Sequence, residues 1–295
     1  MRHFLWIFIL ALVFTGCEKE EERPFISLEK RSQLKQVSSE ETTLKIALGG
    51  IIRPKEGFKY YEQLLQFIGQ KLGIPVEIID KKSYAEINQM LENKEIDVAF
   101  SCSGPYVEGH ERFGLELLVI PQAYGKTTYN AYILAHKDSP IQRLEDLRGK
   151  RFAFTDPHSN TGRLVPTFML SQMKQTPEKF FSKTTFTYAH DKSIQAVAEK
   201  VVEGASVHSL IWEYANSTDP IFTKQTKIIA RSDPYGIPPV VVRPGLKQEV
   251  KERLKKTFLS LHEEPKSKEI LEKMKVDRFV EIEDAHYNTI REMKQ

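Results

Sequence analysis

From Leu44 onward the sequence alternates short apolar runs with longer amphipathic segments, and this alternation restricts the fold more than any other feature. Residues 44–49 (LKIALG) read as a buried strand. Residues 60–72 carry Tyr61, Leu64, Leu65, Phe67, Ile68 and Leu72 at the spacing of one helix face and stop at Gly73. A second strand is expected at 76–79, a helix at 84–93 and a third strand at 96–100 (IDVAF). Strands separated by helix-length crossovers pair in parallel, and a parallel sheet needs cover on both faces. The chain therefore reads as α/β, and its 295 residues allow two bodies of ordinary size.

The alternation continues, with strands expected at 130–135, 151–155, 186–189, 205–210, 227–230 and 240–242. Helices are expected at 164–173, 193–202, 247–261, 267–274 and 285–293. In the basic segment 250–258 (VKERLKKTF), Val250, Leu254 and Phe258 would turn inward and the charges outward. Residues 117–136 are nearly all extended and too long for one strand. They are expected to run from one sheet into another, with 227–242 returning. Two lobes joined by two hinge strands would result, lobe 1 from 44–122 with 236–295 and lobe 2 from 123–235, with a cleft between them.

The N-terminus reads as an address. After Met1-Arg2-His3, residues 4–14 form an unbroken apolar run of eleven. At about 1.5 Å per residue such a helix falls well short of a bilayer core of about 30 Å. A secretory signal fits better. Thr15-Gly16-Cys17 at its end has the form of a lipobox, although Phe14 stands where Leu is commonest. The expectation is a lipoprotein signal at 1–16 and a lipid on Cys17; an ordinary cleaved signal is the alternative. Residues 17–43 are charged and lack periodicity, which suits a flexible tether. With Cys17 lipidated, Cys102 has no intramolecular disulfide partner.

The stretch most informative about chemistry is 151–170 (RFAFTDPHSNTGRLVPTFML). A strand runs into Asp156-Pro157, then Ser159-Asn160-Thr161-Gly162, then a helix. The first N–H groups of a helix have no partner within it, and the dipole adds partial positive charge there. Neutral side-chain donors beside them suit an oxyanion. Capping alone would need one such residue, and three adjoin the glycine here. The segment is not a phosphate-binding P-loop, since Gly-Lys-Ser/Thr is absent.

DPHSNTGRLVP resembles the DPxSxSGxxVP signature of phosphonate-, phosphate- and phosphite-binding proteins of ABC importers, which have the type II periplasmic-binding-protein fold. Further landmarks keep their order: SYAEINQML (83–91), IDVAFSCSGPYV (96–107), AHKDSPIQRLEDLRGKRFAF (135–154), HDKSIQAVAEK (190–200) and RSDPYGIPPVVVR (231–243). The resemblance implies an interlobe cleft in which Ser159, Asn160 and Thr161 hold the oxyanion, Asn160 replacing a hydroxyl residue. It also places His190 and Tyr84 at the oxyanion. Two departures stand out. His208 lies where an Asp or Asn is usual, and Phe100-Ser101-Cys102-Ser103 offers small residues where some relatives have an aromatic. An ammonium group on the ligand would lack a counter-ion, which favours a phosphate-like, phosphite-like or neutral-tailed phosphonate ligand. Ser101 and His208 join the expected ligand-binding set.

The first functional reading is a lipid-anchored solute receptor of an ABC importer, with permease subunits and the membrane as partners. It would act as a monomer, with no cofactor and no catalytic role. A sensory receptor of the same fold signalling to a membrane kinase is the second. A hydrolase or transferase using Cys102 and His190 is the third, and no ordered triad supports it. A formal net charge of +3 is too small to argue for nucleic acid. His110 and His136 lack metal-ligand spacing, and His158 is expected to be exposed. Arg53 and Arg163 read as solvated cations. Phe58, Tyr60 and Tyr61 read as helix packing, and Tyr129 and Tyr132 as cleft lining.

Overall fold

The computed structural model describes residues 43–49, 55–81 and 83–294. The expected signal, Cys17, nearly all of the tether and Arg53 lie outside the described residues. Along the chain run β1 (Leu44–Leu48), α1 (Lys55–Leu72), β2 (Val76–Asp80), α2 (Tyr84–Glu92), β3 (Val98–Phe100), α3 (Ser103–Phe113) and β4 (Glu116–Gln122). Next come β5 (Thr128–Tyr129), β6 (Ala131–His136), β7 (Arg151–Phe154), α4 (Val165–Gln172), α5 (Pro177–Phe180), β8 (Lys183–Phe186) and α6 (His190–Ala198). Then follow β9 (Gly204–His208), α7 (Ser209–Thr218), β10 (Thr226–Arg231), β11 (Tyr235–Gly236), β12 (Val240–Val242) and α8 (Gln248–Ser260). The chain closes with α9 (Pro265–Met274), β13 (Arg278–Val280) and α10 (Asn288–Glu292).

One sheet has six strands in the order β13-β4-β12-β3-β1-β2, and a second has five in the order β10-β6-β9-β7-β8. As the alternation requires, β1 pairs in parallel with β2 and β3, and β7 in parallel with β8 and β9. The return strand β12 is antiparallel to both β3 and β4, so each sheet is mixed. β4 lies in the first sheet and β6 in the second, β10 in the second and β12 in the first. The chain thus crosses twice between sheets. Midway, β5 and β11 pair antiparallel, Tyr129 opposite Tyr235. This is the type II periplasmic-binding-protein fold.

Alternate residues of each strand face different cores. Ile46 and Leu48 pack with Leu64, Ile68, Leu254 and Phe258 of α1 and α8, while Ala47 and Ala99 pack with Ile87, Leu91 and Tyr106 of α2 and α3. In the second sheet Phe152 and Phe154 meet Leu170, Phe180 and Phe181, and Ala153 meets Ile194 and Val197. Both faces are buried, which is why these strands read as continuous apolar runs.

Three expectations need correction, and one helix was not expected. The strand expected at 186–189 is β8 at Lys183–Phe186. Thr184 and Thr185 are exposed on the last strand of the five, so no apolar run marks it, and Tyr188 at φ 57° turns the chain away. The helix expected at 193–202 begins earlier, at His190. The strand expected through 210 ends at His208, because α7 starts at Ser209; its half-buried residues 210–215 show no single apolar face. The helix α3 is absent from the sequence reading because two glycines and a proline obscure it; Pro105 is tolerated in the first turn.

Phe258 is fully buried between Phe100 and Phe279, with ring centroids 6.1 and 5.0 Å away. Phe258→Ala is expected to cost about 3–5 kcal/mol by transfer and cavity terms, measured as a lowered midpoint in urea at unchanged slope.

Candidate functional site

Among the described residues, five helical segments that begin within a few residues of the C-terminal end of a strand are α2, α3, the π-helical turn Asn160–Leu164 that leads into α4, α6 and α7. Their first or capping residues are Tyr84, Cys102, Ser159, His190 and His208. In open α/β sheets this is the end where ligands bind. At that end each has N–H groups without a partner inside the helix, and partial positive charge.

Direct contacts draw these ends together. The backbone N–H of His208 donates to His190 Nδ1 at 3.0 Å, and Thr155 Oγ1 lies 3.2 Å from the same nitrogen. Ser206 Oγ donates to the Thr161 carbonyl at 2.5 Å. The Asn160 amide donates to Tyr129 Oη at 3.1 Å, and the Tyr129 ring lies 4.2 Å from that of His208. The Ser159 hydroxyl caps its turn by accepting from Gly162 N–H at 3.0 Å, leaving its own proton to give. Across the two sheets, Tyr84 N–H donates to Asp156 Oδ2 at 3.4 Å, and His158 Nδ1 meets Glu108 Oε2 at 2.9 Å. A Cβ on Gly104 would stand 2.8 Å from the His158 carbonyl and 3.2 Å from Asn160 N, so only glycine permits this approach of α3 to the turn.

Ser159, Asn160, Thr161, His190, Tyr84, Ser101 and His208 are all buried. Six buried side-chain polar atoms among the described residues have no hydrogen-bond partner, and four of them are Tyr84 Oη, Asn160 Oδ1, Thr161 Oγ1 and His190 Nε2. Native proteins rarely leave such groups unpaired.

The histidines have fixed tautomers. A nitrogen that accepts from a backbone N–H carries no proton, so His190 is protonated on Nε2. His208, whose Nδ1 accepts from Leu210 N–H at 3.1 Å, is too. Burial pulls His190 down to about 3 from the usual 6.5, and burial together with His190 pulls His208 well below its usual value. Burial pushes the Tyr84 phenol well above 10, with Cys102, Asp156 and Tyr129 adding to the effect, so it keeps its proton. Burial also raises the Cys102 thiol. With the thiol protonated and the Nδ1 atoms of His190 and His208 both occupied by backbone N–H groups, neither histidine offers a base to activate it.

Ser101 stands apart: its hydroxyl donates to the Cys102 carbonyl at 3.3 Å, and with His208 it borders an interlobe cavity of about 110 Å³. Tyr61, read as helix packing, lines that cavity as well. Tyr129 sits in the cluster, but Tyr132 donates to Glu213 at 2.9 Å and stacks with Arg231. Arg163 is half-buried over the Phe154 ring at 4.3 Å and paired with Glu178, and His158 is half-buried on Glu108, so neither is simply solvated. Sequence reasoning missed the Glu108–His158 pair, for which a separation of 50 residues gives no signal, and the role of Asp156, which the Asp-Pro of the motif did flag. Among the described residues, no group of three or more His, Cys, Asp or Glu could hold a metal. No described helix is long and apolar enough to cross a membrane.

Two α/β lobes joined by two crossings, with helix N-termini turned toward one another, define a two-lobed solute-binding protein. The family described as periplasmic substrate-binding proteins of phosphonate ABC transporters matches residues 53–287, and the chain belongs to it. It is 27% identical over 234 residues to the phosphonates-binding periplasmic protein of Escherichia coli, covering 78% of this chain and 69% of that one. It is also 27% identical over 237 residues to a probable ABC transporter phosphite-binding protein of Prochlorococcus marinus, covering 77% and 80%. The crystal structure of a binding-protein component of a phosphonate ABC transporter from Pseudomonas aeruginosa superposes with a TM-score of 0.79, at 27% identity over 85% of this chain and 86% of that one. Members of this family capture solute for a transporter and do not catalyse.

The folded pKa values of His190 and His208 lie below 6.5, so the unfolded chain binds more protons as the pH falls from 6.5 toward 3. Stability is fully present above 6.5 and is lost through that window, at most about 1.4 kcal/mol per pH unit for each histidine. Urea unfolding at pH 7 and pH 5 is expected to show a smaller acid loss in His190→Gln than in the parent; equal losses would contradict a buried neutral imidazole.

Proposed function

We propose that the chain is a lipid-anchored extracytoplasmic solute receptor of an ABC importer that holds a phosphorus oxyanion between its lobes, at the helix N-terminus following β7. The observation that carries this is the set of buried, unpartnered polar atoms on Tyr84, Thr161, Asn160 and His190. Three are neutral donors. The fourth, Asn160 Oδ1, exchanges with Nδ2 if the amide turns over, since the Tyr129 hydroxyl can donate as well as accept. Each unpaired buried group costs about 1–3 kcal/mol, which an oxyanion accepting from it recovers. Phosphonate, phosphite and phosphate fit, and relatives carry the first two in their names.

Residues 44–122 with 236–295 form one proposed lobe and 123–235 the other, hinged at the β5–β11 pair. Closure on the anion would bring α3 against the 159–161 turn and fasten Glu108 to His158, and the closed monomer would be what the permease subunits recognise. Ser159, Asn160, Thr161, His190 and Tyr84 hold the oxyanion in this reading, with Ser101 and His208 toward the rest of the ligand. Residues 1–16 would be removed and Cys17 lipidated, holding the protein at a membrane by the tether. Loss of Arg2 leaves a net charge of +2 on the mature chain, in keeping with recognition by aimed local donors.

Methylphosphonate, phosphate and phosphite are to be titrated calorimetrically into the mature domain. At least one is expected to bind, and at 100 times its Kd to stabilise the domain by about 2.7 kcal/mol. Thr161→Val keeps the shape and removes the hydroxyl, so affinity is expected to fall roughly 5- to 100-fold while the empty protein is no less stable. Unchanged affinity would remove Thr161 from the site. Separately, Cys17→Ala is expected to move the expressed protein from the detergent phase to the aqueous phase in a detergent partition; unchanged partition would refute the anchor.

A further inference from the structure

The interlobe cavity differs in chemistry from the polar turn it adjoins. Its walls are Tyr61, Phe100 and Phe279 from one lobe, Ile211 and Tyr214 of α7 from the other, and Tyr124 and Ile237 from the two crossings. Ser101 and His208 form its polar end, and His208 is tied to His190 by the 3.0 Å hydrogen bond described above. The cavity therefore begins where the anion cluster ends. Among the described lining residues the only charge is Lys275, and there is no carboxylate.

We propose that this cavity receives the uncharged alkyl substituent of an organophosphonate. The chain would then select short alkylphosphonates over aminoalkylphosphonates and over the substituent-free ions. The inference rests on the anion-binding reading of the site. A ligand ammonium entering the cavity would find no carboxylate, and burying a charge unpaired is costly. The polar groups of the lining offer it no negative charge: His208 Nδ1 already accepts from Leu210 N–H, its other nitrogen is a donor, the Ser101, Tyr61, Tyr124 and Tyr214 hydroxyls are neutral, and Lys275 has the same sign. An alkyl group removes apolar wall and ligand surface from water together. Its volume of about 110 Å³ leaves room for a short alkyl chain.

The test is calorimetric titration of the mature domain with phosphate, phosphite, methyl-, ethyl- and propylphosphonate, aminoethylphosphonate and its trimethylammonium analogue. Affinity is expected to rise about three- to fourfold per methylene from methyl to propyl, and to be weaker for both cationic ligands than for ethylphosphonate. A flat series in which phosphate or phosphite equals the alkylphosphonates overturns the inference and leaves the anion site standing. Tighter binding of either cationic ligand, as an aromatic cation pocket would give, overturns it too. Failure of every phosphorus oxyanion to bind overturns the anion reading itself, and the inference with it. Ile211→Phe, which narrows the cavity, is expected to flatten the series; a series that stays steep in this variant shows that the alkyl group sits elsewhere.

Discussion

Helix N-termini carry N–H groups that the helix itself cannot pair, and this chain gathers five such ends on the side of its sheets where strands finish. The rest of the site follows from that constraint. Each end must be capped, solvated or given a ligand, and the caps present (Ser159 on Gly162 N–H, His208 on Leu210 N–H) satisfy only part of the demand. Gly104 lets α3 approach the 158–160 backbone closely enough for two ends from different lobes to share one space. Asp156 accepts N–H donors from His158 and Tyr84 at the edge of that space, joining the lobes there.

The histidines show how neutrality is enforced. Histidine ordinarily titrates near neutral pH, yet His190 is buried and its Nδ1 is taken by a backbone N–H, which leaves one defined donor and no charge. A neutral donor in a low-dielectric pocket discriminates by geometry, because an acceptor of the wrong shape leaves it unpaired. An imidazolium would attract anions of any shape. In the proposed reading, the cavity beyond His208 would add a second level of selection, since no carboxylate is among its described lining residues.

Much of this was legible in the sequence, for physical reasons that differ by element. Strands buried on both faces, such as 44–48 and 240–242, appear as continuous apolar runs. The long extended segment at 117–136 signalled a crossing because no single strand is that long. The polar turn 159–161 was legible because three donors before a helix exceed what capping requires. What was illegible had no local signature. The edge strand β8 is polar, α3 is masked by glycine and proline, and α7 has no single apolar face. That Ser101 would border an apolar cavity, and that His158 would meet Glu108, depends on how the lobes approach, which no spacing along the chain encodes.

In the proposed site neutral donors hold the anion, foremost the Nε2–H of His190, and nitrogen NMR of the histidine side chains during titration with methylphosphonate reads that group itself. His190 is expected to remain the neutral Nε2–H tautomer from pH 5 to 8, with its Nε2 proton moving downfield on binding. An imidazolium at His190 in the complex, or no response of that proton to a ligand that binds, would rule the neutral donor out.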